Sequence, residues 1–172
     1  ATASVVLDDF NDGILKPQWV PWSSGTIYPA ETNGQLQVRG VWNRPVNDVV
    51  FDHAGMYWDE NWIVPEGQTV EWRAEVLGMN QDASYVGFGA GTSGERYYQL
   101  QLGSDSVSLY RWTATGGNVL LFSDPAIVRQ TNIVLCFALT RHQSQAVVTI
   151  RVEDRTVPGA VLYEKTHLDV SP

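Results

Sequence analysis

From Thr69 to Val76 the chain reads Thr-Val-Glu-Trp-Arg-Ala-Glu-Val, with Val70, Trp72, Ala74 and Val76 in one phase and Glu71, Arg73 and Glu75 in the other. Successive side chains of a strand point to opposite faces, so a period of two describes a strand packed on one face and wet on the other. A helix would scatter the same residues around its circumference. The pattern recurs. Tyr98, Leu100 and Leu102 alternate with Tyr97, Gln99 and Gln101, and Val148, Ile150 and Val152 with Thr149, Arg151 and Glu153, while Tyr85-Val86-Gly87-Phe88-Gly89-Ala90 continues it. Turn formers stand between such runs: Asn33-Gly34, Glu66-Gly67, Ser93-Gly94, Gly103-Ser104-Asp105, Gly116-Gly117-Asn118 and Pro158-Gly159. No amphipathic helix of three turns is visible. Many short, turn-punctuated strands predict an all-β fold, a two-sheet antiparallel β-sandwich of the jelly-roll kind. The 172 residues, 44% of them hydrophobic, fit one domain over 1–172 with linker-like ends at 1–4 and 170–172.

Charge and cysteine content exclude several functions. Nineteen acidic against eleven basic residues give −8, with Lys16 and Lys165 the only lysines, so nothing resembles a basic patch for nucleic acid or an anionic membrane. The longest apolar run, Ile133 to Leu139, is too short for a spanning helix. Cys136 is the single cysteine, which rules out an intrachain disulfide and a thiolate zinc cluster, and its apolar neighbours mark it as a core filler rather than a nucleophile. His53, His142 and His167 have no metal-like spacing. What stands out is the aromatic content, with seven Trp and seven Tyr. Few lysines, one cysteine and many aromatics fit an extracellular or cell-surface protein, a monomeric module of a larger chain.

The segment Val6-Leu7-Asp8-Asp9-Phe10-Asn11-Asp12-Gly13, followed by Trp19, Trp22 and Asn33-Gly34-Gln35-Leu36-Gln37-Val38, resembles the opening of concanavalin A-like lectin/glucanase domains. The Thr69–Val76 strand and the hydrophobic strand from Ile133 are also similar to that superfamily. The resemblance implies a jelly roll of two curved antiparallel sheets whose concave face or rim loops bind sugars. It is a pattern of strands, without a catalytic signature, and fold alone does not define function.

A glycan site needs aromatic platforms for the flat C–H faces of sugar rings, beside amide, carboxylate and guanidinium groups for their hydroxyls. Glu71, Arg73, Glu75, Tyr85, Tyr97, Gln99 and Gln101 all point away from the expected core, and Gly87 and Gly89 on the same phase suggest a trough for a ligand. An ordinary solvated face with cross-strand charge pairs accounts for the same pattern. Trp42, Arg44, Trp58 and Trp62 sit between strands among Asp, Asn and Arg, as a binding rim or as caps over the open end of a sandwich.

Two further readings follow from the resemblance. Glucanases of this fold carry Glu-x-Asp-x-Glu on one strand, whereas Glu71-x-Arg73-x-Glu75 has arginine at the centre. That arginine is expected to bind both carboxylates and to oppose the protonated form a general acid requires, which leaves a divergent glycoside hydrolase as the least supported function. Related jelly rolls hold a structural calcium with residues near both termini, implying Asp9 or Asp12 with Asp169 as ligands, although Asn11-Asp12-Gly13 is adequately explained as a turn. The sequence thus predicts a non-catalytic carbohydrate-binding domain with a polysaccharide or oligosaccharide ligand. A structural or adhesive spacer sandwich without a small ligand is the alternative.

Overall fold

The computed structural model describes residues 5–24, 28–39, 53–60, 63–78, 85–92, 96–113, 115, 117–126 and 130–170. The fold is all-β: the described residues form twelve strands and no helix. Every strand pairing is antiparallel. No described helix is long and apolar enough to cross a membrane. The chain divides into two compact units, Ala1–Glu60 and Asn61–Pro172.

In the first unit, β1 (Trp19–Ser24) pairs with β4 (His53–Trp58), and β2 (Tyr28–Glu31) with β3 (Leu36–Arg39). The β2–β3 hairpin is closed by Asn33-Gly34, both at positive φ (55° and 69°), while Thr32 and Gln35 exchange backbone hydrogen bonds. This is the two-residue turn whose twist matches paired strands, and Asn-Gly is the pair that tolerates it.

The second unit holds β5 (Thr69–Val76), β6 (Tyr85–Thr92), β7 (Arg96–Gly103), β8 (Ser106–Trp112), β9 (Asn118–Pro125), β10 (Ile133–His142), β11 (Gln145–Asp154) and β12 (Val161–Asp169). They form two four-stranded sheets, ordered β12-β11-β10-β5 and β6-β7-β8-β9. The expected alternation is realised on β5, where Glu71, Arg73 and Glu75 are exposed and the intervening residues half-buried. Leu100, Leu102, Val107 and Leu109 from one sheet and Ile133, Leu135, Phe137, Val148, Ile150 and Val152 from the other are at most 1% exposed and form one cluster. The two sheets therefore pack face to face within this unit. At about 1.5–3 kcal/mol per buried aliphatic or aromatic side chain, this cluster is its main source of stability. Trp72 packs against it, its ring 6.2 Å from that of Phe137, as its phase on β5 predicts.

Two further turn signals work as expected. Gly67 (φ 72°) and Gly159 (φ 79°) each take the left-handed third position of a turn, with Pro65 first in one and Pro158 second in the other, and the turns close through Gln68 N to Pro65 O and Ala160 N to Val157 O. Ser93-Gly94 and Gly116 lie outside the described residues.

Candidate functional site

The strands that carry the candidate residues end up on different faces. β5 belongs to one sheet, and β6 and β7 to the other. Because both sheets turn one face to the common core, Glu71, Arg73 and Glu75 lie on one outer face of the sandwich, and Tyr97, Gln99 and Gln101 on the opposite one. A single site drawing hydroxyl-binding groups from both sets cannot form within this unit. Trp42, Arg44 and Trp62 lie outside the described residues, as does the side chain of Tyr85.

The outer face of the β12-β11-β10-β5 sheet is covered by ion pairs. Arg73 bonds Glu71 at 3.1 Å and also Glu153, while Arg151 reaches Glu71 (3.1 Å), Glu153 (2.7 Å) and Glu164 (3.6 Å). Glu75 pairs with Arg155. Arg73 thus does not bridge Glu71 and Glu75, contrary to expectation. These two residues lie on the same face, but the arginine turns toward Glu153 of β11, across the intervening β10, instead. Burial would raise the Glu153 carboxyl, but hydrogen bonds from Arg73 and Arg151 outweigh it and hold the group below its ordinary range. The Glu153 bond likewise holds Arg73 more firmly protonated, against the opposing effect of its partial burial.

Cys136 is 1% exposed, as expected, yet it stands on this outer face rather than between the sheets, directly opposite Arg73 on one side and Arg151 on the other. The long stems of two arginines shelter a small side chain between them. Burial pushes its thiol up to about 11, with Arg73 opposing, so it is neutral and unreactive at ordinary pH.

The outer face of the β6-β7-β8-β9 sheet has the opposite character. Tyr97 and Trp112 are cross-strand partners whose rings stack at 5.5 Å and 13°. The Trp112 indole N–H donates to Gln99 Oε1 at 3.2 Å, and Gln101 Nε2 donates to the same oxygen at 3.0 Å. Opposite Gln99 stands Tyr110, and opposite Gln101 stands Ser108, whose hydroxyl bonds that of Ser123 at 2.8 Å. Beyond them an open recess of about 160 Å³ is lined by Gln101, Ser108 and Tyr110 with the β7–β8 turn, Gly103 to Ser106. That volume is about half the lower end of the range for drug-sized ligand pockets.

The glycine trough read from the sequence has another explanation. A Cβ at Gly87 would lie 2.8 Å from Gln99 Nε2, because the Gln99 side chain occupies that space. A Cβ at Gly89 would lie 1.9 Å from the backbone oxygen of Tyr98. These glycines admit neighbouring parts of β7, one a side chain and one the main chain.

In the first unit, Trp58 is half-buried and directly opposite Trp19, with ring centroids 5.0 Å apart in an edge-to-face arrangement. Its indole N–H donates to Glu60 (2.9 Å), while Trp19 donates to Asp8 (2.9 Å) and lies 5.9 Å from Phe10. Trp58 is thus part of an aromatic cluster with both neighbours fixed.

The expected calcium ligands are engaged elsewhere. Asp12 closes a turn onto the backbone N–H of Ile14 at 3.0 Å, and Asp9 accepts from Asn11 at 2.6 Å. Asp169, in the second unit and 5% exposed, accepts from Tyr98 and Arg111. A buried carboxylate already neutralised by a guanidinium does not fit a calcium ligand. Among the described residues no three His, Cys, Asp or Glu side chains gather closely enough to hold a metal.

Sequence reasoning missed Ser108, Tyr110 and Trp112. The run Ser106-Val-Ser-Leu-Tyr-Arg-Trp does alternate, but Arg111 occupies the inward phase with Val107 and Leu109 while two aromatics occupy the outward one. That reversal hides the strand from a search for apolar residues on one phase. Compared with models of protein families, with the curated proteins and with solved structures, the chain finds no significant match in any of the three.

Proposed function

We propose that this chain is a non-catalytic carbohydrate-binding domain of an extracellular or cell-surface protein, with its ligand on the outer face of the β6-β7-β8-β9 sheet. The observation that carries this reading is the Tyr97–Trp112 stack, linked through the Trp112 N–H to Gln99 and continuous with the polar recess at Gln101, Ser108 and Tyr110. Aromatic surface beside amides and hydroxyls is what sugar rings require, with C–H faces on the rings and hydroxyls on the amides. A concanavalin A-like jelly roll is the fold assignment that accords with this function. Two antiparallel sheets around one core support it, as does the order β5-β10-β11-β12, where three hairpin-linked strands are joined by a fourth reached through a long excursion.

The opposite face has little capacity for hydrolysis or sugar binding, since Glu71 and Glu75 are already held by arginines. The deciding experiment is retention on a panel of immobilised polysaccharides. Trp112→Ala and Tyr97→Ala are expected to abolish retention, while Glu71→Gln on the opposite face leaves it unchanged. Wild-type protein that no polysaccharide retains would sink the proposal and favour a spacer sandwich.

A further inference from the structure

The candidate face differs from the rest of the protein in its charge. Along β7 and β8 it presents tyrosine, tryptophan, glutamine and serine, and among its described residues Asp105 is the only acidic or basic side chain. Among the described side chains, the cations closest to it in sequence or across the sheets are turned away. Arg111, between Tyr110 and Trp112, points inward onto Asp169, and Lys165 of the other sheet points inward onto Asp124 at 2.8 Å. Arg73 and Arg151 lie on the opposite outer face, bound to glutamates.

Resting on the carbohydrate-binding reading above, we infer that this face selects an uncharged linear glycan laid along β7 and β8, and discriminates against glycans bearing sulfate or carboxylate groups. An anionic group is held by guanidinium or ammonium donors, which supply charge as well as hydrogen bonds. Here a sulfate or uronate would give up its hydration to neutral amides and hydroxyls beside the Asp105 carboxylate, a desolvation cost with no compensating cation among the described side chains of the face. The net charge of −8 adds long-range repulsion. A neutral sugar meets no such penalty.

The direction follows from the strand geometry. Tyr97, Gln99 and Gln101 are spaced two residues apart on β7, facing Trp112, Tyr110 and Ser108 on β8. The strip from the stacked rings to the recess is about 13 Å long, more than one sugar ring covers. A chain along it would stack at one end and place hydroxyls in the recess at the other.

Affinity electrophoresis tests this with soluble glucans, mannans and galactans, each run beside its sulfated derivative, and with polygalacturonate. The expected result is retardation by at least one neutral polymer, at least about tenfold weaker retardation by its sulfated form, and little change between about 0.05 M and 0.5 M NaCl. Gains in affinity from the monosaccharide to its oligosaccharides are expected as well. Retardation by sulfated or uronate polymers alone, fading with salt, would overturn the inference while leaving carbohydrate binding intact. Retardation by nothing in either series would overturn both.

Discussion

Arg111 on β8 donates through one nitrogen to both carboxylate oxygens of Asp169 on β12, at 2.7 Å each. The two residues belong to different sheets of the second unit, and Tyr98 completes the arrangement by donating its hydroxyl to Asp169 at 2.8 Å. A second polar clasp joins the same sheets, where Tyr163 and Lys165 of β12 bond Asp124 of β9. The sandwich is apolar at its centre and polar along the side where β12 faces its partner sheet.

Removing the carboxylate of the first clasp takes away the acceptor that Arg111 and Tyr98 share. Asp169→Asn leaves a guanidinium 19% exposed beside a neutral amide, and is expected to lower stability by about 3–5 kcal/mol. Replacing Asp169 and Arg111 together by leucine should recover much of that loss. Urea midpoints at constant m-value provide the measurement, and a single variant within about 0.5 kcal/mol of wild type would contradict the clasp.

The tyrosines of both clasps predict an alkaline limit. Burial, reinforced by the Asp169 hydrogen bond, raises the Tyr98 phenol well above its ordinary value, and burial with the Asp124 bond does the same for Tyr163. The protonated form is the one the fold favours. Their contribution is therefore complete below the unfolded value of about 10 and is lost as pH rises beyond it. Ultraviolet titration should show Tyr98 and Tyr163 ionising only with unfolding, and Tyr98→Phe should remove one tyrosine from that late class.

Trp72 and Trp112 separate packing from recognition. Trp72→Ala opens a cavity beside Phe137 and is expected to cost about 3 kcal/mol without altering polysaccharide retention. Trp112→Ala loses its stack on Tyr97, about 0.5–1.5 kcal/mol beyond the area it buries, together with retention. Equal stability losses with unchanged retention in both variants would make Trp112 a packing residue.

The two glycines of β6 should respond unequally to one added methyl. Gly87→Ala meets only the flexible end of Gln99 and is expected to cost less than about 1 kcal/mol, whereas Gly89→Ala meets the backbone of Tyr98 and costs more than about 2 kcal/mol. Thermal denaturation distinguishes them, and similar melting temperatures would refute the close approach of β6 to β7 at Gly89.

The all-β character was legible in the chain because period two is a local property: Val70, Trp72 and Ala74 declare their common face whatever they pack against. Asn33-Gly34 and Pro158-Gly159 were legible for the same reason, as their backbone preferences act within four residues. The inward side of β12 was not legible. Tyr163, Lys165 and Asp169 occupy the buried phase, and each is stable there only because Asp124 or Arg111, roughly forty to sixty residues away, supplies the opposite charge or acceptor. Alternation could say that Glu71 and Gln99 both turn outward. Which sheet each strand joined, and so whether they shared a face, depended on pairings of β5 with β10 and of β7 with β6 and β8. Those pairings are chosen by the burial of a common core across distant parts of the chain, a tertiary condition that no window of residues contains.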